Sequence, residues 1–439
     1  MKKCLALLLS VCLLVGMVSF AGAEGKRTVT FWHCFGGRIG EAVQAIVDAY
    51  NASQDEVFVD ATFQGSYDET LTKVKSALPA GTGPDVFQMF EVGANYLANT
   101  GYLIPFQDML EKDPYITLEQ VEGVLRNYYT INGKLQAIPI NPSSPIMYYN
   151  KTAFEKAGIT EVPTTFKEIE AVAEKITSVE GNPKHALGLS IYGWFFENLL
   201  AGAGAYYVNN ENGRKEAATA IDYDTNGGGK QVMETWKRVV DNGTCYNFGV
   251  SNDDAKAAFI AGETAMTFES TAQLTTITTG VGDKFEVGAA FLPSVLDKAQ
   301  GGVLIGGAAL WMTKQEDEQR LTDAWNFIKF ATSSEISAKF SMATGYFAAN
   351  TTAYDMPEYV QYLKDHPNAN VALDQLRASP LNTATAGASV GVMQELRQIW
   401  QQHMDLYLQG AYGTVEEAMA EMAQEGNKAI EYYNQTNKK

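Results

Sequence analysis

The chain has 439 residues, 33 Lys and Arg against 51 Asp and Glu, and a net charge of −18; such acidity disfavours nucleic acid and anionic membrane surfaces as partners. Its length exceeds what one ordinary core serves, so two domains are expected. Four histidines without metal-ligand spacing and four cysteines in a chain this long support neither a metal centre nor a disulfide scaffold.

Lys2 and Lys3 precede an apolar run over 5–20, which ends in Ala21-Gly22-Ala23 with small residues where a signal peptidase cuts. A cleavable signal peptide over 1–23 is expected, and with it a periplasmic or extracytoplasmic mature protein. Loss of its two lysines takes the net charge from −18 to −20. A strand is predicted at 29–32, then a helix on which Ile39, Val43, Ile46, Val47 and Tyr50 recur at helical spacing. Residues 57–63 alternate at period two, Leu71, Val74 and Leu78 mark a helix stopped by Pro79, and 84–89 reads as the next strand. This alternation predicts an α/β domain with a largely parallel sheet and ligand chemistry at its strands' carboxyl ends.

The pattern restarts after Tyr148-Tyr149-Asn150-Lys151. Helices are predicted over 165–177, 229–241, 253–261, 320–331, 390–408 and 415–433, with strands over 265–269, 285–289 and 303–312. No glycine-rich loop closes in Gly-Lys-Ser/Thr. Gly387-Ala388-Ser389-Val390-Gly391 matches a hydrolase nucleophile elbow, but a small polar stretch precedes it and only His403 follows. No catalytic residue, cofactor or metal site is expected, and the chain is not read as an enzyme.

Phe31-Trp32-His33, Gly65-Ser66-Tyr67, Gly83-Pro84-Asp85, Phe90-Glu91-Val92-Gly93, Pro139-Ile140-Asn141-Pro142-Ser143, Gly262-Glu263-Thr264-Ala265-Met266, Gly306-Gly307-Ala308-Ala309-Leu310-Trp311 and Thr344-Gly345-Tyr346 fall in one order. In that order and spacing the chain resembles the family 1 extracellular solute-binding proteins of ABC importers, the group that includes maltose-binding protein. Tyr67, the 90–93 motif and Arg397 narrow the likeness to its members that bind glycerol 3-phosphate.

The resemblance implies a two-lobed periplasmic-binding-protein fold of type II, with the solute in a cleft between lobes joined by three crossovers near 144–147, 302–305 and 350–353. The N-terminal lobe would hold 24–144 plus 305–352, and the C-terminal lobe 147–302 plus 353–439. Carried over by motif, Tyr67 and Glu91 would face glycerol hydroxyls, while Ser143, Ser270, Gly307, Tyr346 and Arg397 would gather around a phosphate. A carboxylate can accept from a diol, and a guanidinium fork suits phosphate oxygens. Phe166 stands where those members carry a tryptophan platform, and keeps the apolar face without the indole donor. The expected partners are a phosphorylated polyol or sugar and separate permease subunits, with the receptor a monomer. The ligand classes open at this point are glycerol 3-phosphate or its diesters, and a neutral sugar, oligosaccharide or polyol.

Overall fold

The computed structural model describes residues 25–298 and 301–437. The signal-peptide expectation over 1–23 lies outside them. Two mixed sheets organise the chain. The first takes strands Val57–Phe63, Arg27–His33, Val86–Phe90, Gly306–Thr313 and Leu103–Ile104 in that order, with Ile138–Ser143 also pairing with Gly306–Thr313. The second takes Cys245–Asn247, His185–Leu189, Thr264–Ser270, Pro145–Asn150 and Val287–Ala290. The fold is the two-lobed α/β arrangement expected.

Neither sheet is largely parallel. Arg27–His33 runs parallel to both of its neighbours, but Gly306–Thr313 is antiparallel to each of its three. That strand comes back from the second lobe and so enters the first sheet from the opposite end. In the second sheet, Pro145–Asn150 runs antiparallel to both partners for the same reason, having just left the first. The predicted strand at 303–312 begins only at Gly306 and runs to Thr313.

Helices pack on the first sheet and on one another in the second lobe. The helix Gly37–Ser53 packs through Val43, Ile46, Val47 and Tyr50, the periodic positions of the sequence. In the second lobe, Met393–Leu408 buries Met393, Leu396, Trp400, Met404 and Tyr407 along one face. Trp400 stacks on Phe196 with centroids 4.4 Å apart. Burying side chains of this size contributes about 1.5–3 kcal/mol each, so this helix is fixed against the Gly193–Gly202 helix that carries Phe196. The helix Pro357–Asp365, beyond the third expected crossover, packs on Ser334–Thr344 beside the first sheet. Cys34 and Cys245 are buried and free.

Candidate functional site

The two lobes meet around one guanidinium. Arg397 shares the buried face of Met393–Leu408 with Leu396, its stem packed against Gly193, where an added Cβ would come within 3.0 Å of Arg397 Cγ. From this position the head reaches the seam. Arg397 Nη2 donates to Glu91 Oε1 at 2.9 Å and to Glu197 Oε2 at 2.9 Å, and Nε donates to Glu197 Oε1. Arg397, Glu91 and Glu197 are 8%, 5% and 7% exposed. Burial alone would lower the affinity of Arg397 for its proton, but the two carboxylates offset this and hold it well above its ordinary value. Burial pushes the Glu91 carboxyl up, against the opposing pull of Arg397.

Glu91 reaches this point because the Val86–Phe90 strand ends there in a single 3₁₀ turn, Glu91–Gly93. The Tyr128 hydroxyl donates to the Glu91 carbonyl at 3.3 Å and steadies the turn. Glu197 comes from the Gly193–Gly202 helix, which was not anticipated. Its signal was present: one carboxylate within the apolar run Trp194-Phe195-Phe196-Glu197-Asn198-Leu199-Leu200. A buried charge in such a run is costly unless paired, and Arg397 supplies the pair.

Beside this cluster the first lobe presents an aromatic and amide wall. Ser66 and Glu69 form a capping box that starts the Tyr67–Ala77 helix and fixes Tyr67 at its first position. The Tyr67 ring stacks on Phe90 at 4.9 Å and meets Phe35 edge-on at 5.5 Å. Its hydroxyl lies 3.1 Å from the Asn141 side-chain amide. Tyr346 joins through Phe35 at 6.1 Å and follows Gly345, whose φ of +88° turns the chain inward. Burial raises the Tyr346 phenol to about 12, so it acts as a neutral donor.

Ser143 and Ser270 end their strands, and Gly307 lies near the start of its own. Ser143 is buried opposite Gly306, where an added Cβ would meet both Trp194 and Ser143 Oγ. Ser270 ends its strand and caps the next turn by accepting from Ala272 N at 3.2 Å. Gly307 has φ +91°, and a Cβ there would fall 1.9 Å from the Asn141 carbonyl; backbone packing alone accounts for the glycine.

Two expectations need correction. Arg397 does not stand apart from the carboxylate expected at the hydroxyl end; it is bonded to Glu91 directly and to Glu197 as well. Phe166 presents no platform: its ring is 1% exposed and packs edge-on to Phe268 at 5.8 Å in the second lobe's core. As the first residue of its helix it sits under the sheet, so its apolar ring turns inward. Ser389, the serine of the elbow-like motif, follows turns instead of a strand, and its Oγ accepts from Asn95 at 2.7 Å. His403 Nδ1 instead meets the Tyr412 hydroxyl.

A model of the family described as bacterial extracellular solute-binding protein matches residues 45–368. The chain belongs to that family. It is a solute-binding receptor of the kind that serves ABC importers. The sn-glycerol-3-phosphate-binding periplasmic protein of Yersinia pseudotuberculosis is 26% identical over 438 residues, 98% of each chain. Among solved structures, UgpB of Mycobacterium tuberculosis in complex with glycerophosphocholine superposes with a TM-score of 0.76 at 24% identity, covering 93% of this chain and 100% of that one. The GacH receptor of Streptomyces glaucescens, described unliganded and with acarbose, gives 0.75 at 21% identity over 92% and 99%. These two likenesses carry the fold.

Proposed function

We propose that this receptor captures a glycerophosphodiester outside the cytoplasmic membrane, after removal of residues 1–23, and delivers it to a separate permease. One observation carries the choice within the glycerophosphate class: Arg397 is shared by two carboxylates. With Arg397 already bonded to two buried carboxylates, its charge is largely committed before a ligand arrives. A phosphate monoester carries about −1.5 to −2 at pH 7 and would be repelled. A diester carries a single charge, which Arg397 Nη1 and the neutral hydroxyls of Tyr67, Tyr346, Ser143 and Ser270 suit.

A cationic head group fits the same surroundings. Phe35 packs against Tyr67 and Tyr346, and Tyr67 stacks on Phe90, the residue before Glu91; aromatic faces of this kind can receive a quaternary ammonium. The similarity to one receptor solved with glycerophosphocholine supports this reading, and relatives named for sn-glycerol 3-phosphate support the wider glycerophosphate class. A neutral sugar or polyol is the second reading, favoured by the same paired guanidinium, which a neutral ligand leaves undisturbed. A thermal-shift screen with glycerophosphocholine, glycerol 3-phosphate, maltose and glycerol tests the choice. A ligand at 100 times its Kd stabilises by about 2.7 kcal/mol. Stabilisation by glycerophosphocholine above glycerol 3-phosphate is expected; stabilisation by maltose alone would establish the neutral-sugar reading instead.

A further inference from the structure

Some 180 residues before Arg397 in the chain, a second arginine crosses the seam in a different way. Arg214 has no carboxylate partner among the described residues; its guanidinium is satisfied by backbone carbonyls alone. Nε donates to Gly387 O at 2.8 Å and Nη2 to Ala386 O, both in the loop that leads into the Arg397 helix. Nη1 donates to Tyr128 O at 3.2 Å and Thr130 O at 3.4 Å, both beside the first lobe's sheet. The guanidinium also lies 5.4 Å from the Tyr128 ring, and Tyr128 is the residue whose hydroxyl bonds the Glu91 backbone. Burial without a counter-charge lowers Arg214 to about 10.

The segment before it is strained. Asn210, Glu211 and Asn212 have φ of 55°, 55° and 59°, and Gly213 follows at +70°. Successive left-handed L residues are costly, less for asparagine than for glutamate. Side chains hold the turn: Asn212 Oδ1 accepts from Tyr207 N at 2.7 Å and Val208 N at 3.2 Å, and Asn210 Nδ2 donates to Ala217 O at 2.8 Å. The turn also grips the same loop, since Ser389 N donates to Asn212 O at 2.7 Å. Persistent strain of this kind collects at clamps and switches.

We infer that Arg214 and the left-handed turn 210–213 form a closure latch, a positioning device that ties the loop leading into the Arg397 helix to the first lobe and so sets the balance between open and closed receptor. The latch touches no residue assigned to the solute, and the inference holds whichever solute is bound. In the closed form Arg214 gains the Tyr128 and Thr130 carbonyls; on opening it must surrender them while Gly387 and Ala386 stay with it. The Asn95–Ser389 and Asn127–Asn382 contacts cross the seam on the same loop and would part with it.

The test needs no ligand. Spin labels are placed on Asp60→Cys in the first lobe and Lys175→Cys in the second, both exposed, in the mature protein whose own Cys34 and Cys245 are buried. Electron–electron resonance distances then report the closed-to-open ratio. Arg214→Met should lower that ratio about tenfold or more, the loss expected for a charged hydrogen-bond donor, and Arg214→Lys should fall between it and the parent. Glu211→Gly, which relieves the left-handed turn, should raise the ratio. Circular dichroism verifies folding, and Arg214→Lys carries the comparison should Arg214→Met not fold. A folded Arg214→Met whose ratio stays within twofold of the parent, an Arg214→Lys ratio equal to the parent's should Arg214→Met not fold, or a lowered ratio in Glu211→Gly, would overturn the latch.

Discussion

Glu91 and Arg397 meet at 2.9 Å across the seam between the lobes, although 306 residues separate them in sequence. Of the two carboxylates on Arg397, Glu91 is the one reached across the seam. Glu197, on the same side as Arg397, holds the guanidinium ready at the seam. The arrangement gives the first prediction. Arg397→Ala leaves two carboxylates buried without a partner and should cost about 3–5 kcal/mol of stability. Converting the cluster to Glu91→Gln, Glu197→Gln and Arg397→Met together should recover most of the loss, since a buried ion cluster and a neutral replacement of similar volume differ little. Urea unfolding of both variants measures this, and a loss below about 1 kcal/mol for Arg397→Ala would place the arginine in solvent.

Glu269 gives a pH prediction. It is 3% exposed, accepts from Asn252 Nδ2 at 2.5 Å and from Ser270 N at 2.7 Å, and burial raises its carboxyl to about 7 from 4.5, with Lys256 and these hydrogen bonds opposing and Asp253 adding. The folded form thus holds a proton that the unfolded form has released. The stability this contributes is fully present below about 4.5 and is lost as the pH rises toward 7. Glu269→Gln, neutral throughout, should flatten the fall by about 1–3 kcal/mol over that interval. Unfolding midpoints at four pH values would show it; an unchanged slope would contradict the buried carboxyl.

Gly307→Ala should destabilise the receptor by about 2 kcal/mol or more, combining a left-handed backbone with a contact on the Asn141 carbonyl. Because Gly307 lies where Gly306–Thr313 leaves the crossover, the loss should appear as a lowered unfolding midpoint with solute affinity per folded molecule retained. Affinity lost at full stability would instead make Gly307 a ligand contact.

Much of this fold was legible in residue spacing. Val43, Ile46, Val47 and Tyr50 announced their helix, and the alternation over 57–63 its strand. Strand direction was not legible, because a strand's pattern carries no record of the end from which it enters a sheet; Gly306–Thr313 is the case in point. Of the motif residues, Glu91 and Arg397 meet at the seam, and Tyr67 and Tyr346 flank Phe35. Sequence could not show that Arg397 and Glu91 share a bond, since pairing across 306 residues leaves no local signal. Glu197 could have been found, as a lone charge in a buried helix. Phe166 misled because position in a motif fixes the backbone of a helix start and leaves the direction of the ring to packing.

A guanidinium already shared by two carboxylates should disfavour a dianionic ligand. Calorimetric titration of the parent and of Glu197→Gln with glycerol 3-phosphate and with glycerophosphocholine compares the two charges at one site. Removing one carboxylate a few ångström from the phosphate should improve glycerol 3-phosphate affinity by about tenfold, with a smaller change for glycerophosphocholine. The parent should favour the diester. A parent that binds glycerol 3-phosphate more tightly than glycerophosphocholine, with the preference unmoved by Glu197→Gln, would contradict the account.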